Sequence, residues 1–341
     1  MILTKGVSVI ITSYNIWKMV WDALNSILKV IWDVNYQIIV VDDASNDIET
    51  IETLNQYFNI GWIEIIKLSQ NLWVQNARTI WLNKAKYDYI FILDWDDCLN
   101  TDKNILKKGN YIKDAINILD KDPSIALVHC PSIMFGDYNW YTISPYPIHE
   151  DLVLKKHHVS TFSIYRREDA LDVKWWMYNN SIKKWQDWSA AIWLFNARFL
   201  RWKKNNVWFL KYPYFLYRAH DSPNRISISN IDEKEMIRKT ISLYPDIFCN
   251  YYKNLTKEEI VDVVYNSKPN KLTDLLYVAY LNSFKLALKI IKERKWALSW
   301  NWMSLYDLLK IASYKWVNVA LKIIKEKNLY IIAKEELGNI P

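Results

Sequence analysis

Short β-branched runs alternate with stretches of helical periodicity along the first third of the chain, and this alternation restricts the fold more than any other feature. Val7-Ser8-Val9-Ile10-Ile11-Thr12 reads as a first strand, Gln37 to Val41 as a second, Ile63 to Leu68 as a third and Tyr89 to Leu93 as a fourth. Between them, Val20, Ala23, Leu24, Ile27, Leu28 and Ile31 recur at helical spacing over about 17–30. Ser45-Asn46-Asp47 and Glu49 open a second helix running to about Phe58, and a third covers Val74 to Lys86. This βαβαβαβ order predicts an α/β fold, Rossmann-like, with a mostly parallel sheet flanked by helices. No Gly-x-Gly-x-x-Gly follows the first strand, so a dinucleotide fingerprint is absent.

Two of the predicted strands end in acidic residues, Asp42-Asp43 and Asp94-Trp95-Asp96-Asp97. Parallel strands bring their carboxyl ends to one edge, where ligands of open α/β sheets bind. Packed carboxylates repel one another unless a cation sits between them, and hard oxygen ligands suit Mg²⁺ or Mn²⁺. Such a metal would in turn hold a diphosphate. The plain alternative for Asp94-Trp95-Asp96 is an acidic loop cap.

Four ordered motifs carry a specific resemblance: Val7 to Asn15, Ile38 to Ser45, Asn71 to Arg78 and Leu93 to Asp97. Together they resemble family-2 glycosyltransferases of the GT-A fold over about residues 5–225. The resemblance implies transfer of a sugar from a nucleotide-diphosphate sugar, a UDP-sugar first of all, to an acceptor hydroxyl in glycan or cell-envelope polysaccharide synthesis. It implies that Thr12 and Tyr14 frame the nucleotide base and that Asp43 accepts a hydrogen bond from the base edge. Arg78 would stand near the diphosphate, Asp94 at the ribose, and Asp96 would ligate Mn²⁺ or Mg²⁺. Lys183 to Ser189 opens an amphipathic helix where the family carries an acidic pair whose Asp is the catalytic base. Here the first member is Gln186, and Asp187 matches the base; read alone, Asp187 is a first-turn carboxylate favoured by the helix dipole. Relatives often carry Arg and His near the diphosphate at the strand Tyr212 to His220, which makes His220 a second metal ligand.

Between these motifs, a helix is expected over 101–120 and a strand over Ile125 to His129. A loop is expected over 136–156 and a strand over Val159 to Arg166. His149, His157 and His158 read as ordinary polar residues.

Tryptophan usage is abnormal. The chain has 5 Gly and 19 Trp in 341 residues, whereas average usage near 7% would give roughly 24 Gly. The family pattern has Gly at Trp73 and Trp81 and a small residue at Trp95, whereas Trp188 fits as a true tryptophan. Most of the tryptophans are therefore expected to be glycine in the source organism, encoded by UGA.

Beyond about 230 the composition turns to Lys, Leu, Ile and Tyr in helical periodicity. Asp274 to Trp296 aligns without gaps on Asp307 to Leu329 at an offset of 33, with 11 of 23 positions identical. That period is the ankyrin one, and two units are fewer than a free array needs. The expected organisation is a GT-A domain over 1–230 and an all-α, ankyrin-like repeat extension over 231–341. The repeats would meet a protein partner or, through their lysines, anionic lipid; a solvated face is the plain alternative. The net charge of +7 suits phosphorylated substrates. Three cysteines without pair spacing imply neither a disulfide framework nor a zinc site. With a strand beginning by Val7 and no apolar run near ~20 residues, a cytoplasmic location follows, at most at the inner membrane face. The acceptor would be a glycan, a lipid-linked sugar or a protein, and nucleic acid is not a partner. Competing readings are a sugar-nucleotide nucleotidyltransferase, weakened by the missing Gly- and Arg-rich loop after the first strand, and an inactive scaffold or lectin-like binder.

Overall fold

The computed structural model describes residues 4–58, 60–72, 74, 77–78, 82–130, 132–136, 140–141, 150–155, 162–171, 179–210, 212–219 and 230–267. Among them the strands in chain order are β1 (Thr4–Ser13), β2 (Tyr36–Asp42), β3 (Ile63–Lys67), β4 (Tyr87–Leu93), β5 (Cys98–Leu99), β6 (Ile125–His129), β7 (Ser132–Gly136), β8 (Trp140–Tyr141), β9 (Ile164–Arg166), β10 (Asn206–Phe209) and β11 (Phe215–Ala219). The main sheet has the order β10-β6-β9-β4-β1-β2-β3. β1 is parallel to β2 and β4, β2 is parallel to β3, and β10 is parallel to β6. Only β9 runs antiparallel, between β4 and β6. The fold is thus α/β with a mostly parallel central sheet, as the alternation predicted.

The inner strands are apolar without alternation because both sheet faces are covered. Successive side chains point to opposite faces. Val9, Ile11, Ile38, Val40, Phe91 and Leu93 enter one core with Leu24 and Ile27 of the helix Trp17–Leu28. Ile10, Ile39, Val41, Ile90 and Ile92 enter the other with the helix Gln186–Leu200. The helix Ile48–Phe58 starts where the sequence placed it, since the Asp47 carboxylate accepts the Thr50 N–H at 2.8 Å.

The expected single helix over 101–120 is broken. Lys103–Leu106 and Tyr111–Lys121 are separate helices. Gly109 stands between them at φ +148°, where an added Cβ would strike Asp114. Asn110 then caps the second helix, accepting the N–H of Ile112 at 3.0 Å and of Lys113 at 3.2 Å.

A second, smaller sheet has the order β5-β11-β7-β8; β11 lies within the expected strand Tyr212 to His220, and its short partners gave the sequence no period to read. Beyond 230, Asp232 caps the helix Glu233–Leu243, followed by Pro245–Tyr251 and Lys257–Asn266. Ile237, Ile241, Ile247, Phe248, Ile260 and Val264 share the core that holds Trp188. The repeats at 274–329 lie outside the described residues.

His129 ends β6 fully buried, edge-on to Phe209 at 4.9 Å, with neither ring nitrogen hydrogen-bonded among the described residues. Burial pushes its pKa from 6.5 down to about 3. Below pH 6.5 the unfolded chain therefore takes up a proton that the folded one refuses, so stability is lost as pH falls toward 3, by about 1.4 kcal/mol per unit. His129→Leu should flatten the fall in melting temperature between pH 6.5 and 4.5, compared in parallel melts with the unaltered chain.

Candidate active site

The carboxyl ends of β1, β2 and β4 lie side by side. Ser13 is in register with Asp42 and Ile11 with Leu93. The loops leaving β1 and β2 are stitched together: the Asn15 side chain accepts the N–H of Asn46 at 2.9 Å and of Asp47 at 3.1 Å, and the Asn15 N–H donates to Ser45 Oγ at 2.9 Å. Asn15 adopts φ 52° to do so, a left-handed conformation that Asn tolerates. Asp43 is buried, and its Oδ1 accepts the Leu72 N–H at 2.7 Å. Thr12 is buried, its Oγ1 without a hydrogen-bond partner among the described residues, while Tyr14 is 45% exposed. Thr12, Tyr14 and Asp43 thus share one corner of the edge.

Asp94 to Asp97 form a tight turn just past β4, with the Asp97 N–H donating to the Asp94 carbonyl at 3.1 Å. One carboxylate oxygen from each of Asp94, Asp96 and Asp97 falls within 4.8 Å of the others. Asp97 is buried, and burial, with the charges of Asp96 and Asp94, pushes its pKa well above the usual carboxylate range against the pull of Arg218. An all-oxygen, triply acidic donor set of this size fits a hard divalent cation such as Mn²⁺ or Mg²⁺.

Two guanidiniums oppose this crowding. Arg78, 4% exposed, places Nη2 on Asp94 and Nη1 at 3.5 Å from Asp187 Oδ1. It therefore joins the acidic turn to a carboxylate 109 residues along the chain. Arg218 on β11 works from the other side: its N–H donates to Asp97 Oδ1 at 2.8 Å, Nε to the Asp96 carbonyl at 2.7 Å, and Nη2 to Asp22 at 2.7 Å. Its guanidinium carbon also lies 4.4 Å from the centre of the Phe135 ring. The pairing of Phe215 with Leu99 and of Leu216 with Cys98 sets this position.

Asp187 stands in the first turn of the helix Gln186–Leu200. The indole of the fully buried Trp188 donates to the Val153 carbonyl at 2.6 Å and fixes that turn. Near the far end, Arg198 is buried against Asp169 and donates to the Pro123 carbonyl at 2.8 Å. Removal from water pushes the Asp187 pKa up to about 7, with Arg78 opposing and Asp94 and Asp96 adding to the rise.

Of the residues singled out by sequence, Arg78, Asp94 and Asp187 are brought into contact, and Asp96 stands in the same turn as Asp94. Thr12, Tyr14 and Asp43 sit on the neighbouring strand ends. His220 lies outside the described residues, as do Trp73, Trp81, His149, His157 and His158. Asp22 escaped sequence reading; Arg218 falls in the expected strand Tyr212 to His220, where the resemblance puts an Arg near the diphosphate. A separate cleft, lined by Asp122, Glu150, Asn205, Trp208 and Tyr251, opens where β6 and β10 begin, at the opposite end of those strands from the acidic edge.

The family model described as Glycosyl transferase family 2 matches residues 8–220. Poly(ribitol-phosphate) beta-N-acetylglucosaminyltransferase TarS of Staphylococcus aureus is 25% identical over 173 residues, covering 45% of this chain and 29% of TarS. The chain therefore spans under a third of the length of that curated relative. Among solved structures, S. aureus TarS 1-349 in complex with UDP-GlcNAc superposes with a TM-score of 0.57 at 18% identity, over 95% of this chain and 92% of that one. GalNAc-T7 with UDP, GalNAc and Mn²⁺ superposes at 0.51 with 15% identity, over 84% and 58%. These likenesses show a GT-A fold.

Removing the Arg218 guanidinium breaks its bonds to the Asp96 carbonyl and to Asp22 and takes a nearby positive charge from the buried Asp97, a loss of roughly 1–3 kcal/mol. Arg218→Gln should lower the melting temperature by several degrees.

Proposed function

The chain belongs to glycosyl transferase family 2, and from that premise we propose that it is an inverting glycosyltransferase that moves a sugar from a UDP-sugar to an acceptor hydroxyl of a glycan. The observation that carries this reading is the Arg78 guanidinium shared between Asp94 of the acidic turn and Asp187 of a distant helix. A carboxylate that only capped a helix would not need to stand at the charged centre of the sheet edge.

In this reading Thr12, Tyr14 and Asp43 receive the nucleotide base, and Asp94 faces the ribose. Asp96 holds the cation, with His220 as a further ligand. When bound, Mn²⁺ or Mg²⁺ neutralises charge on the departing diphosphate. Arg78 sets a second, fixed positive charge beside that diphosphate. Asp187 accepts the proton of the acceptor hydroxyl as its oxygen bonds to the anomeric carbon. The bond to the UDP oxygen breaks on the opposite face, so one displacement inverts the centre. The raised proton affinity of Asp187 suits it to that task near neutral pH.

The named activities of the relatives support a UDP-N-acetylhexosamine donor and a cell-wall glycopolymer acceptor. No helix among the described residues is long and apolar enough to cross a membrane. Cytoplasmic work on a lipid-linked or polymeric acceptor, with the ankyrin-like repeats at 274–329 docking a protein partner or the membrane face, completes the proposal.

Asp187→Asn should cut turnover by roughly 10²–10⁴-fold with donor KM nearly unchanged. In the unaltered enzyme kcat/KM should fall on the acid side with an apparent pKa near 7, about tenfold per unit below it, because the protonated carboxyl cannot accept the hydroxyl proton. Normal turnover in Asp187→Asn would remove it as the base.

Release of UDP from UDP-N-acetylglucosamine should require Mn²⁺ or Mg²⁺, vanish with chelator, and return on adding metal back. Asp96→Asn should raise the Mn²⁺ concentration needed for half-maximal release at least tenfold. An inactive scaffold would release no UDP with any sugar nucleotide or metal.

A further inference from the structure

The helix Gln186–Leu200 closes on a left-handed residue that is a tryptophan. Trp202 N–H donates to the Phe199 carbonyl at 2.9 Å, and Lys203 N–H donates to the Arg198 carbonyl at 2.9 Å. Counted from the C-cap Arg201, these are the two paired bonds of a Schellman motif, and Trp202 is its left-handed residue at φ 57°. Glycine takes that conformation freely, whereas any Cβ crowds the following carbonyl oxygen. A large side chain could offset the strain by packing, yet Trp202 is 95% exposed.

The same helix begins on a second left-handed tryptophan. Trp185 has φ 61° and ψ 39°, but its side chain packs against the core and lies edge-on to Trp188 at 6.0 Å. It stands two positions before Asp187, so its backbone sets how the chain enters the turn that carries that carboxylate. Three residues on, Trp188 is fully buried, hydrogen-bonded through its indole, and edge-on to Phe248 at 6.3 Å. One helix thus holds a tryptophan that its surroundings demand, a left-handed one that packing supports, and one at a position shaped for glycine, in a chain with 5 Gly and 19 Trp.

We propose that the protein made in its own cell carries glycine at position 202 and tryptophan at 188. The two kinds would be distinguished in the gene by UGA, read there as glycine, and UGG, read as tryptophan. This assignment is made residue by residue from backbone geometry and burial, and it stands whether or not the chain transfers sugar.

Two measurements test it. The gene should have UGA at codon 202 and UGG at codon 188; UGG at 202 overturns the proposal. Independently, in the full chain, Trp202→Gly should raise the melting temperature by roughly 2–4 °C, because relief of left-handed strain exceeds the added freedom of the unfolded chain. An unchanged or lowered midpoint overturns the assignment at 202. Trp188→Phe, which keeps a ring but loses the indole donor, should lower the midpoint by several degrees; no loss would overturn the distinction drawn at 188.

Discussion

Like charges crowded at one edge of a sheet are the constraint to which the rest of this structure answers. Two unit charges about 4 Å apart interact by roughly 4 kcal/mol near a protein surface, so carboxylates gather only where donors offset them. At the β2 end the offset is local, since Asp42 accepts from Ser45 and Asp43 from the Leu72 N–H. At the β4 end three carboxylates converge within 4.8 Å. The two guanidiniums that meet them are shared, Arg78 with Asp187 and Arg218 with Asp22. Positive charge there is outnumbered, which is the electrostatic condition under which a divalent cation binds.

Fixing Asp187 within reach of that turn is a packing problem rather than an electrostatic one. Its ion pair with Arg78 is long at 3.5 Å and would hold little by itself. What fixes the helix is the buried Trp188, the Arg198–Asp169 pair with Lys203 and Arg201 also on Asp169, and the apolar face shared with the helices between 233 and 266. Those later helices have no part in the acidic turn, yet Phe248 packs against Trp188 beside the first turn that carries Asp187. The geometry of the charged edge therefore rests on apolar residues some 60 positions further along.

How much of this could be read beforehand follows from the length scale of each signal. β1, β2 and β4 were legible because a strand buried on both faces must be a continuous apolar run, and the helices between them because their stripes span several turns. The acidic strand ends were legible because topology, not side-chain detail, brings them together. Of the second sheet only β11 was legible, within Tyr212 to His220; β5 has two residues and β7 five, too few for a period to declare itself. The contacts of Arg218 were hidden even though the resemblance put an Arg there: its bonds to the Asp96 carbonyl and to Asp22 follow only once β11 is paired with β5. Its identity as the second guanidinium of the edge is a property of pairing between distant segments. In a chain read residue by residue, such pairing leaves only the trace of a charge where an apolar side chain would have been cheaper to bury.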